Sequence, residues 1–321
     1  MRSALYIALL CLGACSDRRG TEPVPPALSE TVEYWPNGYL RSAYEHYTNK
    51  RGQKVLHGAY RTYAQRVDGL LWSEQLFVDG RLVEQVYQRC DAMEEFPTVN
   101  GDFELGDFTA WRLEGARATS ILLVSDEDPR RGAHSAKLTL HPGDIVRSGN
   151  RVELVRADSG RYDQTHMYGW SIKIPLDYVE EPYWQALCQF HSQPDFAAGE
   201  DWNTYPEHKP PISILYSQSR CRLIYHDAAQ TQHEIGAFPI EKGAWSNVFF
   251  QIRWSMEGDG YIEMYADNRP VTAFNGTDHK FYGSNMYNET GNYLKVGLYR
   301  DKRAEAVNSV YVDDAYIETC R

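Results

Sequence analysis

The stretch Tyr293-Leu294-Lys295-Val296-Gly297-Leu298-Tyr299-Arg300 alternates aromatic or charged side chains with aliphatic ones. Side chains at positions i and i+2 of a β-strand lie on the same face of its sheet. The stretch therefore predicts a strand with Tyr293, Lys295 and Tyr299 on a polar face. Its leucine and valine side chains are expected to pack into a core behind that face.

Two segments upstream follow the same pattern. In Arg151-Val152-Glu153-Leu154-Val155-Arg156, Arg151 shares a face with Glu153. In Gln189-Phe190-His191, the glutamine shares a face with the histidine. Their neighbours, Leu154 and Phe190, point to the core. The three strands predict a sheet that is apolar behind and lined in front by polar side chains, which is a groove suited to a chain that carries carboxylates.

The rest of the sequence favours an all-β protein. Its 321 residues are 42% hydrophobic and 13% aromatic, with 23 Tyr and 8 Trp, and they lack long stretches with helical periodicity. From residue 97 onward, short alternating segments are separated by Gly, Pro, Asn and Asp, as in an antiparallel β-sandwich. We expect one large sandwich domain over residues 97–321, preceded by a smaller region.

The motifs of this domain resemble those of jelly-roll polysaccharide lyases, which include alginate lyases, glucuronan lyases and heparin-lyase-like enzymes. The three segments resemble the R-x-E-x-R, Q-x-H and Y-x-K-x-G-x-Y strands of these enzymes and occur in the same order. The opening run Val99–Trp111 and the closing strand Ser309–Ile317 are similar to the first and last strands of such sandwiches. The resemblance implies a concanavalin-like β-jelly-roll sandwich.

The resemblance also implies β-elimination on a polysaccharide that contains uronic acids. This reaction needs a group that neutralises the carboxylate, a base for the C5 proton and an acid for the leaving oxygen. Arg151 and Gln189 would hold the carboxylate, and His191 would act as base or help to neutralise it. Tyr299 would be the acid. If the proton and the leaving oxygen lie on the same side of the sugar, Tyr299 would also be the base; if they lie on opposite sides, His191 is the natural base.

Further residues of the motif strands are expected to bind substrate, namely Lys295, Glu153, Tyr293, Arg156 and Arg300. Lys295 would position the sugar or activate the phenol of Tyr299 through its charge, and Glu153 would orient Arg151. Arg156 follows one residue later than the second Arg of the family motif. It therefore faces the other side of the strand unless a β-bulge intervenes.

The first residues resemble the leader of a bacterial lipoprotein. Met1-Arg2 precedes an apolar run and the segment Leu12-Gly13-Ala14-Cys15, which is similar to a lipobox. We expect a signal peptide over residues 1–15, lipidation at Cys15 and a Pro-rich tether over residues 16–30; an ordinary signal peptide is the alternative. The body would then lie in the bacterial cell envelope, anchored to the membrane by lipid, at the outer membrane or facing the periplasm.

Residues 31–90 contain a weak repeat of aromatic-rich strands, with Asn-Gly or Asp-Gly turns at Asn37-Gly38, Asp68-Gly69 and Asp79-Gly80. Such dipeptides are strong hairpin signals. The region resembles MORN-type or YwqK-like β-hairpin repeats. It would serve in adhesion or glycan contact, or else as a passive spacer.

In an exported protein, the four cysteines outside the leader favour disulfides. We expect the pairs Cys188–Cys221 and Cys90–Cys320, the second joining the start of the large domain to its end. No cofactor is expected. No metal site is assigned, because the sequence has no Cys-x-x-Cys motif. The resemblance leaves a structural calcium ion open.

The net charge of −11 argues mildly against a polyanion binder. Screening over about 8 Å nevertheless leaves a basic groove effective on an acidic body. We expect a monomer that acts on an anionic polysaccharide and does not bind nucleic acid. One alternative is a non-catalytic glycan-binding jelly-roll module with Trp184, Trp202 and Trp245 as stacking platforms. Another is a glycoside hydrolase, which needs two carboxylates about 5–10 Å apart; no Glu-x-Asp-x-x-Glu strand supplies them.

Overall fold

The computed structural model describes residues 27–35, 38, 40–63, 71–89, 93–95, 101–125 and 129–320. The predicted signal peptide with Cys15, most of the tether, the Asp68-Gly69 turn and Cys90 lie outside the described residues. Lipidation and the Cys90–Cys320 bridge therefore stay predictions. Within the described ranges, no helix is long and apolar enough to cross a membrane.

The described chain is almost entirely β-structure. Its strands, in chain order, are β1 (Ser29–Tyr34), β2 (Leu40–Thr48), β3 (Lys54–Tyr63), β4 (Leu71–Val78), β5 (Arg81–Gln88), β6 (Met93–Glu95), β7 (Arg112–Glu114), β8 (Ile121–Val124), β9 (Ser135–Leu140), β10 (Ile145–Val146), β11 (Gly149–Gly160), β12 (Thr165–Lys173), β13 (Gln185–His191), β14 (Ile212–Ser217), β15 (Arg220–His226), β16 (Gln232–Pro239), β17 (Trp245–Arg253), β18 (Tyr261–Ala266), β19 (Arg269–Pro270), β20 (Phe281–Tyr282), β21 (Asn292–Arg300) and β22 (Asn308–Cys320). One short 3-10 helix, Phe196–Ala198, follows β13. The predicted all-β fold class is confirmed.

Strands β1 to β5 form a five-stranded antiparallel meander, in which each strand pairs with the next. Asp79 and Gly80 close the β4–β5 hairpin as a two-residue turn with φ of 48° and 77°, the conformation that Asp-Gly favours. Trp72 packs against an apolar cluster on the outer face of the larger sandwich. Arg89, which follows β5, forms a buried ion pair with Glu263 at 3.4 Å. These contacts join the meander to the sandwich.

The sandwich consists of two antiparallel sheets packed face to face. One has the order β10-β11-β21-β13-β14-β15-β16, with β7 also paired to β11. The other has the order β19-β18-β17-β12-β22-β9-β8, with β20 on β18 and β6 on β22. The core between them contains fully buried side chains from both sheets, including Leu154, Phe190, Leu298, Tyr168 and Phe250. Burial of one such side chain stabilises the fold by about 1.5–3 kcal/mol. The predicted jelly-roll sandwich is confirmed.

The predicted Cys188–Cys221 disulfide is wrong. Both thiols are free and buried. Cys188 lies on β13 and Cys221 on β15, and β14 runs between these strands. Two interstrand spacings separate them by about 9–10 Å, whereas a disulfide needs Cα atoms within about 7 Å of each other. The two cysteines instead fill the core as small apolar residues.

Candidate active site

The predicted polar face lies on the first sheet, where β21 runs between β11 and β13. Residues directly opposite each other on antiparallel strands point to the same face. The register pairs the predicted site residues as Arg151↔Tyr299, Gln189↔Lys295 and His191↔Tyr293. Six side chains from three strands therefore line one side of the sheet, which we call the groove.

Glu153 connects the three strands of the groove floor. Its carboxylate accepts hydrogen bonds from Gln189 Nε2, from Arg151 Nη1 at 3.4 Å and from Lys295 Nζ at 3.3 Å. All four side chains are buried. On β21, the residue opposite Glu153 is Gly297, which has no side chain to compete for this space. Glu153 thus holds Arg151, Gln189 and Lys295 in fixed positions.

Sequence reasoning missed a second carboxylate, Glu114. It lies on the three-residue strand β7, directly opposite Glu153 of β11. It contacts Lys295 Nζ at 2.8 Å, Arg147 Nε at 3.0 Å and Arg112 Nη2 at 3.1 Å. Burial alone would raise the pKa of Glu114, but these three cations outweigh it and hold the pKa below its usual value. Glu114 is therefore ionised at neutral pH.

Positive charge exceeds negative charge in this network by two, since it joins two carboxylates to four cations, namely Arg112, Arg147, Arg151 and Lys295. Only 9% of Arg151 is exposed, and its Nε has no hydrogen-bond partner among the described residues. A buried donor left unsatisfied costs about 1–3 kcal/mol. The groove floor therefore combines a net positive charge with a nearly buried guanidinium, which is suited to an oxyanion.

His191 lies at one end of the groove, with its ring stacked on Tyr293 at 5.4 Å between centroids. Its Nδ1 lies 2.6 Å from the carbonyl oxygen of Ser192. Because a carbonyl can only accept, Nδ1 carries the proton and Nε2 of the neutral ring has a free lone pair. Burial, assisted by the charges of Lys295 and Arg151, outweighs the hydrogen bond to Ser192 and lowers the pKa of His191 to about 4. At neutral pH the imidazole can accept a proton.

Tyr299 lies at the other end of the groove. Its ring centroid is 4.0 Å from Arg151 Cζ, and Trp184 meets the ring edge-on at 4.9 Å. Gly149 makes room for this packing, because a Cβ there would lie 2.6 Å from Arg151 Nη2 and 2.6 Å from Tyr299 Cε2. The guanidinium and the phenol ring are thus held together on the groove floor.

Two exposed tryptophans flank the groove. Trp184 is 42% exposed beside Tyr299. Trp202 is 47% exposed, and its ring lies 6.4 Å from that of Tyr293. Tyr293 and Tyr299 are six residues apart on β21, and the register shift between Ala186 and Cys188 bends the strand pair between them. The groove therefore has an aromatic surface at each end, whereas Trp245 begins β17 on the other sheet.

Two predicted substrate-binding residues lie outside the groove. Arg300 is fully buried on the core side of the sheet, where its Nε donates to Asn150 Oδ1 at 2.8 Å and its Nη2 to the carbonyl of Ala306 at 2.7 Å. Nη1 of Arg156 donates to the carbonyl of Ala110 at 2.8 Å. Both positions are one residue out of phase with the groove residues, so strand alternation turns them to the opposite face. Their contacts are structural.

A metal site would need several side chains that can bind the ion together. Within the described residues, no group of three or more His, Cys, Asp or Glu side chains could hold a metal ion. The structural calcium ion left open by the resemblance is therefore assigned no ligands.

Comparisons with known proteins agree with this architecture. A family model described as polysaccharide lyase matches residues 103–316, while no curated protein matches the chain. An endo-β-1,4-glucuronan lyase from the fungus Trichoderma reesei is similar in structure, with a TM-score of 0.53 and 16% identity over 71% of this chain and 94% of that one. A family 7 alginate lyase has a TM-score of 0.47 and 14% identity, over 70% of this chain and 98% of that one. Another alginate lyase has a TM-score of 0.45 and 10% identity, over 72% of this chain and 93% of that one.

The two-sheet sandwich with a polar groove on one sheet is the architecture of the jelly-roll polysaccharide lyases. Since the family match covers most of the chain, this protein belongs to the polysaccharide lyase family. It is an enzyme that degrades a polysaccharide, so the alternatives of a non-catalytic glycan-binding module and of a glycoside hydrolase are set aside.

Proposed function

We propose that this lyase cleaves a polysaccharide containing uronic acids by β-elimination in the groove. The observation that carries the proposal is the excess of two positive charges in the groove network, in which Arg151 and Lys295 are buried, next to a neutral histidine and a tyrosine. A carboxylate beside the reacting carbon would be neutralised there. Neutralisation makes the C5 proton more acidic, and low local dielectric strengthens the effect.

Each group has one task in this reaction. The guanidinium of Arg151 and the second N–H of the Gln189 amide hold the substrate carboxylate. His191 Nε2 takes the C5 proton when that proton and the leaving oxygen lie on opposite sides of the sugar. The bond between C4 and the glycosidic oxygen breaks, a C4–C5 double bond forms, and the Tyr299 hydroxyl protonates the departing oxygen. When both lie on the same side, Tyr299 enters the step as the phenolate, takes the C5 proton and passes that same proton to the leaving oxygen.

The test follows the ultraviolet absorbance of the unsaturated uronate product. The mature chain is offered glucuronan, alginate and heparin-type polymers, alongside Tyr299→Phe and His191→Ala. We expect a rise in absorbance with one polymer and its loss by at least about 100-fold in Tyr299→Phe, since general acid catalysis contributes about 100- to 10,000-fold. Full activity of Tyr299→Phe would overturn its role. Absence of product from all polymers would overturn the uronate substrate.

We also propose that the enzyme is a monomer tethered to the bacterial envelope through lipidated Cys15. The lipobox-like segment and the Pro-rich stretch after it support this location. Expression in a bacterial host with a labelled fatty acid tests it. Wild-type protein is expected to carry label and to sediment with membranes, and Cys15→Ser to lose both. Equal labelling of the two proteins would refute the anchor.

A further inference from the structure

Two half-exposed arginines stand beside the substrate site described above. Arg112 and Arg147 have 50% and 52% of their side chains exposed, and both contact the same oxygen of Glu114, at 3.1 and 3.0 Å. A guanidinium has five N–H donors in a planar fork. One short contact to a shared oxygen leaves most of these donors available to a ligand.

The two side chains reach Glu114 from opposite directions along the groove. Arg112 belongs to β7, and its Cζ lies 6.0 Å from the ring centroid of Tyr293. Arg147 comes from the β10–β11 turn, where it and Ser148 have φ values of 45° and 64°. Because both contact one carboxylate oxygen, the two guanidinium groups are neighbours and can bind one anion together.

Lys295 links this pair to the floor of the groove. Its Nζ lies 2.8 Å from Glu114 and 3.3 Å from Glu153, and Glu153 in turn holds Arg151. The two carboxylates already balance two of the four cations of the network. A substrate carboxylate held by Arg151 and Lys295 balances one more, so one net positive charge remains, on the side of the exposed guanidinium groups of Arg112 and Arg147.

We propose that Arg112 and Arg147 form a second oxyanion site, which binds the acidic group of the sugar next to the one that is cleaved. The inference rests on the proposed function and adds a substrate requirement. The enzyme would select polymers with an acidic group on adjacent sugars, as a carboxylate or a sulfate. It would discriminate against polymers in which uronates alternate with uncharged sugars.

Binding measurements separate this inference from catalysis. Isothermal titration in a Tyr299→Phe background uses three tetrasaccharides: one of consecutive glucuronates, one of heparin type with sulfates, and one of hyaluronan, in which every second sugar is uncharged. We expect the Arg112→Gln/Arg147→Gln variant to lose about 10- to 100-fold in affinity for the glucuronate or the heparin tetrasaccharide, as for lost charge-assisted hydrogen bonds. The arm that weakens identifies the acidic group as carboxylate or sulfate.

The matched control is Arg253→Gln in the same background. Arg253 lies at the end of β17 on the other sheet and forms ion pairs with Asp163 and Asp259. Arg253→Gln therefore shows the effect of removing an arginine charge at a distance from the groove. Affinity for hyaluronan is expected to change by less than about 3-fold in either variant. Equal losses on all three sugars, or no more loss than in Arg253→Gln, would overturn the second site. If tight, Arg112- and Arg147-dependent binding persists but the wild type forms no unsaturated product, only the proposed elimination fails.

Discussion

At His191, burial and a single backbone hydrogen bond decide which nitrogen can take a proton. The Ser192 carbonyl fixes the proton on Nδ1, and the buried site beside Lys295 and Arg151 resists a third positive charge. Sequence alternation placed His191 and Gln189 on the polar face, but it carried no information about the tautomer. That information comes from backbone geometry after β13.

The pH profile tests this state of His191. Its pKa is lowered to about 4, so the ring stays neutral down to about pH 5. We expect the acid limb of kcat/KM to have an apparent pKa near 4, where a solvent-exposed histidine would give about 6.5. The folded pKa lies below the unfolded one, so protonation favours unfolding and the free energy of unfolding falls as the pH drops from 6.5 towards 4. An acid limb near 6.5 would contradict the buried, uncharged base.

Gly149 tests how closely Arg151 and Tyr299 must pack. The atoms nearest to a Cβ at this position belong to these two side chains and not to the backbone, and side chains can move without unfolding the sheet. We expect Gly149→Ala to lower kcat/KM by about 10- to 100-fold and to change the thermal midpoint little. Gly258→Ala is the control, because no atom lies within 4 Å of its added Cβ. Loss of stability without loss of activity would contradict the positioning role.

At the scale of strands, the register of β11, β21 and β13 assembles the groove. A register shift between Ala186 and Cys188 lets two successive residues, Leu187 and Cys188, both enter the core. Beyond it, Gln189 and His191 face the groove. The strand β7 escaped the sequence analysis because three residues are too few for a periodicity. Its Arg112-Leu113-Glu114 nevertheless repeats the Arg-x-Glu spacing of Arg151 and Glu153, and this was the signal available.

Gly297 keeps β21 in contact with β11. Its φ is 152°, and a Cβ there would lie 2.3 Å from the Val152 carbonyl oxygen and 2.9 Å from Glu153 Cα. Since these are backbone atoms, the strands themselves must separate. We expect Gly297→Ala to lower the free energy of unfolding by more than about 3 kcal/mol, measured by urea denaturation.

Gly276→Ala separates the cost of the positive φ from the cost of the close contact between strands. Gly276 also has a positive φ, of 103°, but no atom lies within 4 Å of its added Cβ. It carries only the conformational cost, about 1–3 kcal/mol. Equal losses in the two variants would show that strand contact at Gly297 is not the cause.

At the scale of the whole molecule, the β1–β5 meander and the groove use opposite faces of the sandwich. The meander contacts the outer face of β17 and β18 through Trp72 and Arg89. Nη1 of Arg89 also donates to Gln251 Oε1 at 3.0 Å. The core of the sandwich therefore separates the groove on the first sheet from the meander contacts on the second sheet.

Arg89 tests how strongly the meander is attached. Arg89→Met leaves Glu263 buried without its cation, and we expect a loss of about 3–5 kcal/mol of stability, measured by thermal and urea unfolding. The Arg89→Met/Glu263→Gln variant removes the uncompensated charge and is expected to recover part of this loss. Lyase activity of the folded fraction should be unchanged. A double variant less stable than the single one would contradict a charge-based attachment.

The sequence by itself determined the three motif strands and the faces of their side chains, because the two-residue alternation of a β-strand is a local property. It was enough to group Arg151 with Glu153, Gln189 with His191, and Lys295 with Tyr299. Only the tertiary structure decided the neighbours across strands, such as the arginines around Glu114, the hydrogen-bond partners of Arg300 and the separation of the two free cysteines. Register between strands distant in sequence is fixed by packing of the whole core, and no local segment encodes it.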